Sequence, residues 1–220
     1  MAESGVADEL EDDYTDPDKL RYGFEDACHN KGDADACFRL AQWYTAVKKD
    51  YAKSLEINNE NCSKRGDRNS CYNAAVMYVR GVRGIVEKDL PRGTSLCNRA
   101  CNAGHVEACH IHGILQAQSG GDKDLAAKHF ERACDGSYAP ACYRLAALFL
   151  QKNEPQKAKP FLEKSCDNNY GAACHALARM WKIGDGMPAP DEAKFKFYAD
   201  RTRELMRQTG KRMGVDIAAS

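Results

Sequence analysis

The sequence lacks the features that most directly announce a function. Its 32 basic and 32 acidic side chains cancel over 220 residues, so no net field draws in nucleic acid or a membrane surface. Its longest apolar runs, such as Leu145–Leu150, are far too short to span a bilayer. Proline and glycine number only 7 and 17, which excludes a low-complexity chain. The signatures G-x-S-x-G, H-E-x-x-H, G-x-x-x-x-G-K-[ST] and S-x-x-K are absent. So are the C-x-x-C redox motif and the C-x-x-C-H haem attachment motif. The acidic residues are scattered at helix starts and on solvated faces. The first residues, MAESGVADELEDDYTDPDKL, have no basic or apolar leader region and no arginine before Arg21. They read as neither a secretory signal nor a matrix transit peptide.

Cysteine is abundant instead: Cys28, Cys37, Cys62, Cys71, Cys97, Cys101, Cys109, Cys134, Cys142, Cys166 and Cys174. Ten of the eleven fall into pairs with one spacing. The later members, at 37, 71, 109, 142 and 174, step by 34, 38, 33 and 32 residues. The earlier members, at 28, 62, 101, 134 and 166, step by 34, 39, 33 and 32. Periods in this range mark an α-solenoid built from two helices per repeat.

The segments that start at the later cysteines agree with one another: CFRLAQWY, CYNAAVMY, CHIHGILQ, CYRLAALF and CHALARMW. Counting the cysteine as zero, positions zero, three, four and seven share one helical face, so each segment is an A helix with a buried stripe. The fourth position is always Ala or Gly, which lets a neighbouring helix come close. B helices such as DLAAKHFERAC (124–134) and EPQKAKPFLEKSC (154–166) lead into the earlier cysteines. Pro160 inside the latter predicts a kink or a late helix start. The expected fold is all-α, an α-solenoid of antiparallel helix pairs. A disordered acidic tail occupies 1–16, about five repeats fill 17–208, and a flexible tail covers 209–220. Opening and closing helices are expected around Pro17–His29 and Pro190–Gln208.

Each pair puts one thiol in the last turn of a B helix and the other in the first turn of the next A helix. The intervening stretches all carry glycine, expected as a helix C-cap. So tight a reversal brings two Cα atoms within disulfide range, ~5–6 Å. The expected bridges are Cys28–Cys37, Cys62–Cys71, Cys101–Cys109, Cys134–Cys142 and Cys166–Cys174. Reduced, buried cysteines in a cytosolic repeat protein are the alternative. Zinc is a weaker one, because only Cys97–Cys101 comes near ligand spacing. Cys97 remains as the free thiol. It sits four residues before Cys101, where other B helices carry Phe24, Phe130 or Leu162. It is either an inert core residue or a resolving thiol able to exchange with Cys101–Cys109.

The third A helix is the deviant one. His110 takes the aromatic slot, His112 replaces Leu, and Gln116 replaces the aromatic at position seven. His110 and His112 face different sides and cannot jointly chelate one metal. Each is either a structural histidine or a candidate axial ligand.

The pattern C-[YFH]-x-L-A-x-[LM]-[YFW], followed by A-x-x-[FY]-x-x-A-C, resembles the Sel-one-like repeat family. DLAAKHFERACDGSYAPACYRLAALFLQ and CHALARMWKIGDGMPAPDEAKFKFY carry the likeness, which covers about residues 18–208. Some bacterial members are described as β-lactam-binding or β-lactam-hydrolysing, which the missing S-x-x-K argues against here. The resemblance is greatest to a mitochondrial intermembrane-space branch. It implies import by the disulfide relay and a role in assembling cytochrome c oxidase, with its subunits or assembly factors as partners. It further implies haem binding and thiol–disulfide activity, and His110 and Cys101–Cys109 match a family position. A second histidine is expected at Ala117, so a bis-histidine site would lack one ligand. A binding module is therefore the main expectation. A haem-dependent oxidoreductase using Cys97, Cys101, Cys109, His110 and His112, or a general adaptor, is the alternative.

Overall fold

The computed structural model describes residues 17–118 and 121–213; the acidic segment 1–16 and the last seven residues lie outside them. Aspartates begin many of the helices. Asp33, Asp50, Asp67, Asp89, Asp122 and Asp191 each accept a backbone N–H of the following first turn. Such a cap satisfies donors that a helix start otherwise leaves orphaned, typically worth ~1 kcal/mol.

The chain forms two compact units, Met1–His105 and Val106–Ser220. The first contains α1 (Pro17–His29), α2 (Ala34–Trp43), α3 (Tyr51–Arg65), α4 (Arg68–Arg80) and α5 (Leu90–Asn102). The second contains α6 (Val106–Gln118), α7 (Lys123–Asp135), α8 (Ala139–Gln151), α9 (Pro155–Asp167), α10 (Gly171–Ile183) and α11 (Glu192–Arg212). The closing helix thus reaches four residues beyond Gln208, into the stretch assigned to the C-terminal tail. Val82 and Val86 form an isolated bridge in the α4–α5 link, and this longer connection accounts for the long step between the second and third repeats.

The stripes pack as their spacing predicts. Cys37, Leu40 and Ala41 are fully buried on α2, as are Cys142, Leu145 and Ala146 on α8, and Cys174 and Leu177 on α10. Burying a leucine side chain contributes roughly 2–3 kcal/mol, so these stripes hold the helices together. The small residue at position four has the expected use in α6. A Cβ added to Gly113 would lie 2.6 Å from the Phe130 ring, so α7 packs where no other residue fits.

Four bridges are formed within the units: Cys28–Cys37, Cys62–Cys71, Cys134–Cys142 and Cys166–Cys174, with Cα atoms 4.6–4.8 Å apart. Cys101 and Cys109 are also disulfide-bonded, and Cys97 is a free, buried thiol. Each closed loop is short, and one bridge stabilises by about 2–3 kcal/mol in the chain-entropy account.

Three local expectations change. The glycine C-cap holds at Gly66 (φ 68°), but Ser137 (φ 62°) and Asn169 (φ 63°) take the left-handed position in the fourth and fifth turns. Gly136 there has φ −72°, and Gly171 is the first residue of α10. Asparagine and serine visit this region by bonding locally, so the reversal does not demand glycine. The late start at Pro160 does not occur either, because α9 begins at Pro155. The missing N–H of Pro160 leaves the Gln156 carbonyl without its helical donor, and both residues are exposed to water. Finally, α2 runs into a π-helical turn, Tyr44–Lys48, which ends at the left-handed Lys49.

Candidate functional site

The cysteine chemistry is governed by burial. Cys97 has no exposed surface and lies one helical turn before Cys101, which is equally buried. Burial pushes the Cys97 thiol up to about 12. A thiol attacks a disulfide only as the thiolate, so at neutral pH this sulfur is protonated as well as inaccessible.

The polar stripe of α6 assembles with a residue the sequence did not single out. His112, 5% exposed, meets His129 of α7 with ring centroids 4.1 Å apart, and its Nε2 lies 3.3 Å from the Gln116 amide. His110 is on another side of α6, against Phe130 and Tyr138, with centroids 5.8 and 5.2 Å away. Burial lowers both His110 and His112 to about 4, assisted at His110 by Arg144 and at His112 by His129 and Arg132. Burial and Arg132 lower His129 too. His129 sits at an i, i+1 step from the stripe residue Phe130, so only the register of α6 on α7 reveals it.

A haem iron requires an imidazole nitrogen facing open space for the porphyrin. The imidazoles are kept neutral, as a ligand must be, yet His110 Nε2, His112 Nδ1 and His129 Nδ1 are all buried without a partner. Aromatic rings wall the first, and the other two belong to rings packed on each other. As packed, these residues do not fit a haem, and no chemistry is routed through one.

An open groove lies in the first unit, over α2, its π turn, α3 and α4. It encloses about 620 Å³, and its lining includes Thr45, Ala46, Asn58, Val76, Met77 and Arg80. Polar packing in α3 shapes its floor. Thr45 Oγ1 lies 2.7 Å from Ser54 Oγ, and the Asn58 amide donates to Ser54 O at 2.9 Å. Asn58 Oδ1 is left buried and unpartnered. The one sequence signal for this groove was Asn58 itself, an amide in the slot where other B helices place Phe24, Cys97, Phe130 or Leu162. Such a surface can bind an extended segment.

The Sel1 repeat profile matches residues 34–56, 68–105, 108–138 and 139–170. The chain belongs to the Sel1 repeat family. Each matched stretch opens with an A helix, and α10 with α11 repeats the pattern once more. This Sel1 repeat protein is 36% identical over 209 residues to cytochrome c oxidase assembly factor 7 of Danio rerio, covering 89% of this chain and 90% of that protein. The protein of that name from Mus musculus is 37% identical over 198 residues, covering 84% and 85%. Among solved structures, a Sel1 repeat protein from Oxalobacter formigenes superimposes with a TM-score of 0.69 at 17% identity, over 86% of this chain and 88% of its own. A protective antigen of uropathogenic Escherichia coli with an SLR fold gives 0.73 at 17% identity, over 89% of this chain and 44% of that one. These two establish the α-solenoid fold class alone.

Proposed function

We propose that this Sel1 repeat protein is an assembly factor for mitochondrial cytochrome c oxidase. It acts by binding protein partners in the intermembrane space. The observation that carries this reading is the likeness, over most of the chain, to relatives named for that role. The partners are subunits or other assembly factors of the oxidase, and the disulfide relay imports the chain. Buried disulfides support an oxidising compartment, since they persist there and are rare in the cytosol. Among the described residues no helix is long and apolar enough to cross a membrane. A thiol–disulfide oxidoreductase working through Cys97, Cys101 and Cys109 needs a thiolate that burial withholds.

Two measurements test the reading. The full chain fused to a labelling peroxidase, expressed in intact cells, is expected to tag oxidase subunits or assembly factors of the intermembrane space. Labelling confined to cytosolic or endoplasmic-reticulum proteins rejects the assignment in favour of a general adaptor. Intact mass of the unreduced protein is expected to show ten hydrogens lost to five bridges, with Cys101–Cys109 as the fifth, and one alkylatable thiol after denaturation. Eleven free thiols would remove the physical support for an oxidising compartment.

A further inference from the structure

We propose that the groove over α2 and α4 is the docking surface of the chain's own acidic N-terminal segment, residues 1–16. Three observations converge on this occupant, and none uses the assembly role.

The first is the chemistry of the groove. Its walls are largely apolar, with Ala46, Val76 and Met77 among them, and Arg80 is the one charged side chain in its lining. Arg80 is exposed, and Arg83 follows it just beyond the helix end. Lys48 and Lys49 follow the lining residues Thr45 and Ala46 after Val47 and are exposed as well, with Lys48 3.7 Å from the Asp18 carboxylate. A largely apolar trough with Arg80 in its lining, and with Arg83, Lys48 and Lys49 close to lining residues along the chain, suits an acidic segment carrying apolar side chains.

The second is where the segment joins the fold. Helix α1 begins at Pro17, and the Asp18 carboxylate lies 3.7 Å from Lys48 Nζ. Lys48 belongs to the π turn whose Thr45 and Ala46 line the groove. The start of α1 therefore lies beside a turn that contributes two residues to the groove.

The third is the composition of the segment. Residues 1–16 hold seven carboxylates (Glu3, Asp8, Glu9, Glu11, Asp12, Asp13 and Asp16) and no lysine or arginine. Val6, Leu10 and Tyr14 supply apolar side chains four residues apart. Sixteen residues reach at most about 55 Å when extended, which leaves the whole groove within range. Tethering gives an effective concentration on the order of millimolar, so weak contacts suffice to fill the site. An acidic partner segment would then have to displace the tail.

The test uses the full chain with Leu10→p-benzoylphenylalanine, irradiated, digested and read by mass spectrometry. The crosslink is expected on the α4 peptide 69–80, which contains Val76 and Met77. A mixture of isotopically light and heavy protein should give links within one chain only. Arg80→Glu, at an exposed position, is expected to weaken the link by about fivefold, with an unchanged melting temperature and disulfide count. High salt should weaken it similarly. Links spread over exposed sites such as Phe197 and Met206, links between chains, or a yield indifferent to Arg80→Glu would each overturn the proposal.

Discussion

Helices α3 and α9 occupy the same place in their repeats and bury opposite chemistry. Counting back from Cys62 and Cys166, α3 presents Asn61, Asn58 and Ser54 where α9 presents Ser165, Leu162 and Ala158. All six are at most 2% exposed. One polar element is common to both. Asn61 Nδ2 donates to Ala34 O at 2.8 Å, and Ser165 Oγ donates to Ala139 O at the same distance. Ala34 and Ala139 are the first residues of α2 and α8, so the residue before the cysteine ties its B helix to the start of the A helix packed on it. Beyond that tie the two diverge. α9 packs Leu162 into a cluster with Ala146, Leu177 and Met180. α3 builds a hydrogen-bonded floor from Thr45, Ser54 and Asn58. The repeat geometry thus tolerates a polar interior where the amide N–H groups find acceptors, even with Asn58 Oδ1 and Asn61 Oδ1 unpartnered, and the open groove lies over the polar version.

The widest break in this comparison comes from moving the polar choice to α9. Leu162→Asn removes a fully buried side chain and strands an amide, so a loss of about 4 kcal/mol is expected from urea denaturation. A loss below about 1.5 kcal/mol would mean that α9 can satisfy an amide as α3 does.

A smaller effect is expected where α6 departs from the shared stripe. His112 stands where α2, α8 and α10 carry Leu40, Leu145 and Leu177. Its folded pKa, about 4, lies below the ordinary 6.5. The unfolded chain takes up a proton below 6.5 and the folded chain does not until about 4, so stability falls as pH drops through that window. At roughly pH 5 the loss is about 2 kcal/mol from this group. His112→Leu restores the stripe and should reduce the fall between neutral pH and pH 5 by about 2 kcal/mol, leaving the part that His110 and His129 contribute, whose pKa values burial lowers as well. A fall of unchanged size in the substituted protein would remove His112 as a contributor.

The smallest effect is the reverse exchange in α3. Asn58→Leu gives up bonds to Ser54 but also removes the unpartnered Oδ1, so stability should stay within about 1 kcal/mol of the parent. A cost as large as that of Leu162→Asn would show that the two slots are equally intolerant.

Much of the fold was legible because helix periodicity and cysteine spacing are local. The five stripes, the aspartate caps and the adjacency of the paired thiols each follow from residues within a dozen positions of one another. The candidate sites were legible only in part. Cys97 could be placed in the core by analogy with Phe130 and Leu162, and burial then decided between inert and reactive thiol. His110 and His112 were visible as departures from the stripe, whereas His129 was hidden, because its contact depends on how α6 registers against α7.

The sequence by itself determined which residues are helical, which face of each helix is apolar and which sulfurs meet, since each is set by a period of 3.6 residues and a short reversal. Tertiary structure alone decided that a π turn brings Thr45 onto Ser54, that the histidines of α6 are walled in, and that Arg80 lines a largely apolar trough. Those outcomes depend on the distance between helices that are not neighbours on one face, and no local pattern encodes that distance.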